Sequence, residues 1–254
     1  MKSIDKTFSI IEALLDYKNG IGINDLSKAV NIHPSTTHRI LTDLLEHGYV
    51  SQCPETKRYK LGLKFLIISG SILESLDLRK QAAPFLVELM KETNETVHLS
   101  VIDNNEVCFI EKVESQHIIR SISRIGARGK LHRSASGKAM MAFLPGLELN
   151  SVLDKIEFGK HLPNTIMDME TLIKELNLVR VRGYSIDDEE YQEGGRCVAA
   201  PVFNNRGKVV AAISISGPSN RIPYSLIENK LSNDVIQTAS AVSASLGYHK
   251  PTDC

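Results

Sequence analysis

The sequence predicts an α+β protein in two parts: an N-terminal winged helix-turn-helix, then a C-terminal antiparallel sheet with helices packed on it. Three observations carry this. Apolar residues recur at helical spacing through the first sixty residues, broken by the turn Asn31-Ile32-His33-Pro34. A short hairpin pattern bearing Lys57, Arg58 and Lys60 follows. From Thr96 the apolar period changes to two.

The first helix is expected from Ile4, Phe8, Ile11 and Leu15, one face at i, i+4, i+7 and i+11, and it should stop before Asn19-Gly20. A second follows in INDLSKAV, with Ile23, Leu26 and Val30 inward and Asn24 suited to cap it. Asn31 tolerates the left-handed backbone of a sharp turn. Pro34 suits the first position of a third helix, where its missing N–H costs nothing. That helix spans about 34–47. Thr37, Ile40, Leu41, Leu44 and Leu45 form its inner stripe; Ser35, Thr36, Arg39, Thr42, Asp43 and Glu46 lie opposite. Two such helices joined by four residues have helix-turn-helix proportions. The groove-facing set is Ser35, Thr36, Thr37, His38, Arg39 and Thr42, Thr37 being counted on both sides. Arg39 alone could make a two-pronged contact to guanine. The return strand of the hairpin, with Lys57, Arg58 and Lys60, supplies phosphate contacts.

Residues 63–76 (LKFLIISGSILESL) are apolar nearly all round, so the helix expected there must be covered on several sides. A linker that pairs with a second chain fits, and so does a helix buried in the second domain. Asp77 then caps a helix from Leu78 to about Asn94, with Phe85, Leu86, Leu89 and Met90 inward. The domains are therefore read as 1–62, a linker at 63–77, and 78–250.

In the second domain, Val97 to Ile102 and Val107 to Val113 flank Asn104-Asn105 as a hairpin. Ile119 to Ile125 alternates as a third strand. Helical patterns follow at about 135–144, 147–157 and 169–181, then a short strand at Tyr184 to Ile186. Strands Cys197 to Phe203 and Lys208 to Ser216 surround Asn204-Asn205-Arg206-Gly207, and one long helix runs from Tyr224 to Leu246. Val209, Ala211, Ile213 and Ile215 share one face of their strand. Val210, Ala212, Ser214 and Ser216 share the other, small and polar as a pocket wall would be. The helix start at His132 to Ala139 offers hydroxyls and free N–H groups to an anion.

Composition excludes several classes. At 42% apolar and 24% charged the chain is ordinary for a globular protein, and no apolar run reaches a membrane span. The opening MKSIDKTFSI lacks a signal-peptide core, so the cytoplasm is the expected location. The four cysteines stand alone, so free thiols are expected. Residues 1–62 hold eight Lys/Arg against seven Asp/Glu, a net of +1, so DNA binding must rest on where charges lie. No nucleophile with a partnered base, no metal set and no nucleotide loop is written here, so neither an enzyme nor a cofactor is expected.

Four segments resemble the IclR family of bacterial regulators: PSTTHRILTDLLEHGYV, HRSASGKA, GYSIDDEEYQEGGRCVAAPVF and ISISGP. They fall in family order within residues 4–248. The resemblance implies a GAF-like effector domain behind the winged helix, homodimers or homotetramers on palindromic double-stranded DNA, and a small carboxylate effector: a keto acid, sugar acid or aromatic acid. It places Ala135, Ser136, Asp187, Cys197, Ser214 and Ser216 at the effector, Ala135 standing where family pockets often have glycine. It points to repression of catabolic genes, with activation, or a sensing module that does not bind DNA, as alternatives. Cys197 reads as a pocket-lining thiol rather than a nucleophile, although with a nearby His and Asp it could trap zinc. Asp187 to Glu190 read as a solvated acidic loop with one residue turned inward, and Lys138 as exposed unless it clamps a carboxylate.

Overall fold

The computed structural model describes residues 3–75, 77–119, 123–159 and 162–249. The chain divides into two compact units, Met1–Ser75 and Leu76–Cys254.

The first unit holds α1 (Ser3–Leu14), α2 (Ile23–Ala29), α3 (Pro34–Glu46), the strands β1 (Val50–Gln52) and β2 (Tyr59–Leu61), and α4 (Lys64–Ser75). Ile10, Leu14, Leu26, Ile40, Leu41 and Leu44 meet Val50 and Tyr59 in one core. The inward face of α1 differs from the expected one. Ile10 and Leu14 are buried, while Ile4, Phe8 and Leu15 are exposed. Apolar residues occupy more of this helix than one face, so spacing alone could not choose between them. Asn24 lies inside α2, whose cap is Gly22 without a side-chain bond. Asn31 has the expected left-handed backbone, φ +51°, and Pro34 opens α3. β1 and β2 pair antiparallel, Val50 opposite Leu61. Lys57 and Arg58 sit in the turn, ahead of the return strand. Leu63, just before α4, and Leu66 and Ile67 in its first turn are exposed.

The second unit is built on a six-stranded antiparallel sheet: β3 (Thr96–Asp103), β4 (Glu106–Val113), β5 (Arg128–Lys130), β6 (Ser185–Asp188), β7 (Gly195–Phe203) and β8 (Val209–Pro218), in the order β5-β4-β3-β8-β7-β6. The hairpin turn forms at Asn104 and Asn105, both at positive φ. The described part of 119–125 is not strand. Residues 120–122 lie outside the described residues, and Ser123 to Ile125 are not strand. The chain meets β4 only after the turn at Gly126, whose N–H donates to the Phe109 carbonyl at 2.7 Å.

The helices are α5 (Asp77–Thr93), α6 (Ala135–Met141), α7 (Gly146–Leu153), α8 (Met169–Arg182), α9 (Tyr224–Leu226) and α10 (Ser232–Ser245). Asp77 lies in the first turn of α5 itself. The expected single last helix is interrupted by a wider turn at Ile227–Leu231. On one sheet face Leu86 and Leu89 of α5 and Val235 and Val242 of α10 pack on Val97, Leu99, Val198, Ile213 and Ile215. On the other, α6 and α8 form a second core that includes Ala199 and Ala212. Val209 belongs to this second core rather than with Ile213, because a bulge at Val202/Phe203 shifts the register there.

All seven residues of α6 are buried. Gly137 permits this: a Cβ there would stand 2.2 Å from the Leu131 carbonyl oxygen. Gly137→Ala should therefore destabilise the second unit by about 1–3 kcal/mol, read as a lower Tm. Gly146→Ala, with nothing within 4 Å, should leave Tm unchanged or slightly raised. Equal Tm values for the two variants would refute this packing.

Candidate functional site

The surface of α3 divides as its period requires. Ser35, His38, Arg39 and Thr42 are exposed and Thr36 is half-buried. Thr37 must be removed from the groove-facing set. It is fully buried, and its hydroxyl donates to the His33 carbonyl at 3.3 Å. His33 caps the helix: its Nδ1 accepts from the Ser35 N–H at 3.4 Å and lies 2.9 Å from the Ser35 hydroxyl. The Thr42 hydroxyl donates back to the His38 carbonyl at 3.0 Å, so its methyl is left to face outward. Lys57, Arg58 and Lys60 are all exposed on the hairpin.

The second unit contains a cavity of about 630 Å³. Ala135, Ser136, Asp187, Cys197, Ser214 and Ser216 all line it. The sheet brings them together by register. Asp187, Cys197 and Ser216 stand opposite one another across β6, β7 and β8; Ser185, Ala199, Ser214 and His98 form the next row, ending on β3. The small side chains of these rows leave room where bulkier ones would fill it. Sequence reasoning missed several lining residues: His98 and Phe109 on the first hairpin, Ser123 and Arg124 on the segment after it, and Tyr191; Ser134, within the helix start offered to an anion, does line the cavity. Only the partner register places His98 beside Ser214, and a single strand does not reveal that. The N–H groups at the start of α6 are less free than expected, because the Ser134 hydroxyl accepts from Gly137 N–H at 3.1 Å.

The family model described as "Bacterial transcriptional regulator IclR C-terminal" matches residues 70–244, and "IclR helix-turn-helix domain" matches residues 3–54. The chain belongs to the IclR family. It is 36% identical over 250 residues to the HTH-type transcriptional regulator KdgR of Escherichia coli (strain K12), covering 98% of this chain and 94% of that protein. It is 34% identical over 248 residues to XynR of the same strain, covering 98% of each. The crystal structure of the Thermotoga maritima IclR superposes with a TM-score of 0.81 at 34% identity, covering 96% of this chain and 98% of that one. This is therefore an IclR-family DNA-binding transcriptional regulator, and its relatives are regulators rather than enzymes. No helix among the described residues is long and apolar enough to cross a membrane.

Two expectations about charge change in this IclR-family chain. Lys138 is not exposed: it is 1% accessible, on a helix packed against the sheet and α8, and ion-paired to Glu190. The acidic run is not one solvated loop. Asp187 and Glu190 both turn inward, and Asp188 pairs with Arg196 at 2.5 Å. Asp187 Oδ1 accepts the N–H groups of Glu190 at 2.9 Å and Tyr191 at 3.2 Å. Burial pushes the Asp187 carboxyl up to about 7; Lys138 and those two N–H groups pull it down, and Glu190 pushes it up. Glu190 is also raised, mainly by burial, with Lys138 opposing. The Cys197 thiol is pushed up by burial and then by Asp187, which leaves it protonated and a poor nucleophile or metal ligand. Among the described residues no metal-binding cluster forms.

A folded-state value for Asp187 above the unfolded value of about 3.9 makes the carboxyl a pH-dependent cost. Below about pH 4 both states hold the proton and the cost vanishes. Between about pH 4 and 7 it grows by on the order of 1 kcal/mol per pH unit, then levels off. Asp187→Asn should thus match wild type in Tm near pH 4 and exceed it near pH 7. Parallel Tm curves would contradict the buried placement.

Proposed function

We propose that this regulator represses a catabolic operon, binding a palindromic operator as a homodimer or homotetramer in the cytoplasm, and that a small carboxylate in the 630 Å³ cavity controls it. The observation that carries the DNA reading is the outward face of α3. Ser35, His38 and Arg39 are exposed there, behind a hairpin whose exposed cations add phosphate contacts. Repression follows relatives named for it: the transcriptional repressor IclR and the repressor AllR of Escherichia coli (strain K12), each 31% identical to this chain. The exposed Leu63, Leu66 and Ile67 of one copy are an apolar surface that a second copy would cover. Two copies would present two α3 helices to half-sites about 34 Å apart.

The effector set is Ala135, Ser136, Asp187, Cys197, Ser214 and Ser216. Arg124, exposed at the cavity mouth, is the one cationic side chain in the lining among the described residues. It would draw a carboxylate, and the serine hydroxyls would hold it.

A mobility shift on the DNA upstream of the gene tests the reading. Wild type should give a specific shift that a panel of keto, sugar and aromatic acids alters. Arg39→Ala should lose about 1–3 kcal/mol of specific binding, and replacing Lys57, Arg58 and Lys60 by Ala should flatten the salt dependence by about one unit per lost phosphate contact. A specific shift that survives in Arg39→Ala would sink the recognition-helix assignment.

A further inference from the structure

His33 ends the turn before α3 and caps that helix with its side chain. Pro34, the first helical residue, has no N–H. The next three N–H groups all go to His33. Ser35 donates to Nδ1 at 3.4 Å, and Thr36 and Thr37 donate to the His33 carbonyl at 2.9 and 3.0 Å. From Pro34 to Thr37 no N–H is therefore left to hold a phosphate, which is a common use of a helix start.

The same cap fixes what the Ser35 hydroxyl can do. An imidazole nitrogen that accepts from a backbone N–H carries a lone pair and no proton. Ser35 Oγ lies 2.9 Å from that nitrogen, so the hydroxyl is the donor of the pair. Its one proton is committed to His33, and only lone pairs remain to face outward. Ser35 is exposed on the outward face of α3. A group that can only accept finds no hydrogen bond at a phosphate oxygen, at O6 or N7 of guanine, or at O4 of thymine. In the major groove its partners are the N6 amino group of adenine and the N4 amino group of cytosine.

We propose that Ser35 reads the amino group of an adenine or a cytosine, and that His33 is the positioning residue that gives the hydroxyl this polarity. This rests on the recognition-helix reading above and adds the class of base that Ser35 meets.

The test is selection of binding sites from a random duplex library by the full chain at pH 8. Wild type is run beside Ser35→Ala, His33→Ala and His33→Asn. Wild type should show one position at which A or C on one strand is favoured over G or T at least about fivefold. Ser35→Ala should lose that preference at that position alone. His33→Ala frees the hydroxyl to donate, so G and T should become acceptable there while other positions hold. His33→Asn, which sets a carbonyl oxygen where Nδ1 stands, should keep the wild-type preference. Purine in place of adenine at that position, which removes the amino group, should weaken wild type at least about fivefold and leave Ser35→Ala unchanged. A preference for G or T at the position that Ser35→Ala relaxes overturns the proposal, even where His33→Ala does not fold. So does a Ser35→Ala profile identical to wild type, and so does an unchanged profile in folded His33→Ala. In each of those cases wild-type selection that is lost in Arg39→Ala leaves the recognition-helix reading standing; no selection by wild type overturns that reading and this one with it.

Discussion

The strand register of the central sheet sets two opposed surfaces on one set of backbones. On β8, Ile213 and Ile215 go to the core under α5 and α10, while Ser214 and Ser216 go to the cavity. On β3, Val97 and Leu99 go to the core and His98 to the cavity. A slip of one residue between strands would exchange the faces, burying serines against α10 and lining the cavity with isoleucine. The apolar side holds the register, because its burial is lost at once if the strands slide. The polar side exploits it. Stability and ligand chemistry therefore share strands without sharing side chains.

A polar cavity in a protein interior is held open by polar groups that are mostly satisfied; among its supports, Glu190 Oε2 is buried without a hydrogen-bond partner. Here the supports are local. The Lys138–Glu190 pair and the two N–H bonds to Asp187 fix the turn after β6 against α6. Ser185 donates to the Ala135 carbonyl from the neighbouring row, and Thr165 donates to the Glu190 carbonyl at 2.9 Å. Removing one member of the buried pair would leave the other charge uncompensated, a far larger loss than an exposed ion pair can cause. The seven buried residues of α6 are the anvil for these contacts, and only a glycine at 137 lets the helix come that close.

In the first unit the division runs along a helix instead of a sheet. Thr37, Ile40, Leu41 and Leu44 attach α3 to a small core. Arg39 and His38, outside that core, contribute little to it and are free to be read by a partner. The exposed cations Lys57, Arg58 and Lys60 on the hairpin likewise lie outside the core and are separate from folding.

Much was legible in the residues alone. Pro34, Asn31, Asn104 and Asn105 have restricted or permitted backbone angles that act locally, so the turn into α3 and the β3–β4 turn were set by the chain itself. Alternation fixed which residues of β8 share a face from Ala211 to Ser216, but not at Val209, where the bulge shifts the register. What the chain could not settle was choice among equivalent faces and partners across the sheet. Ile4 and Phe8 of α1 are as apolar as Ile10 and Leu14, and only packing selects between them. Thr37 could have faced either way until its neighbours buried it. Lys138 was legible as a cation but not as a buried one, because its partner Glu190 lies 52 residues on and arrives through tertiary contact. His98 joined Ser216 and Ser123 for the same reason: hydrogen bonds between segments far apart in the chain are written in three dimensions, whereas turns and most faces follow from torsions and periods that each segment carries by itself.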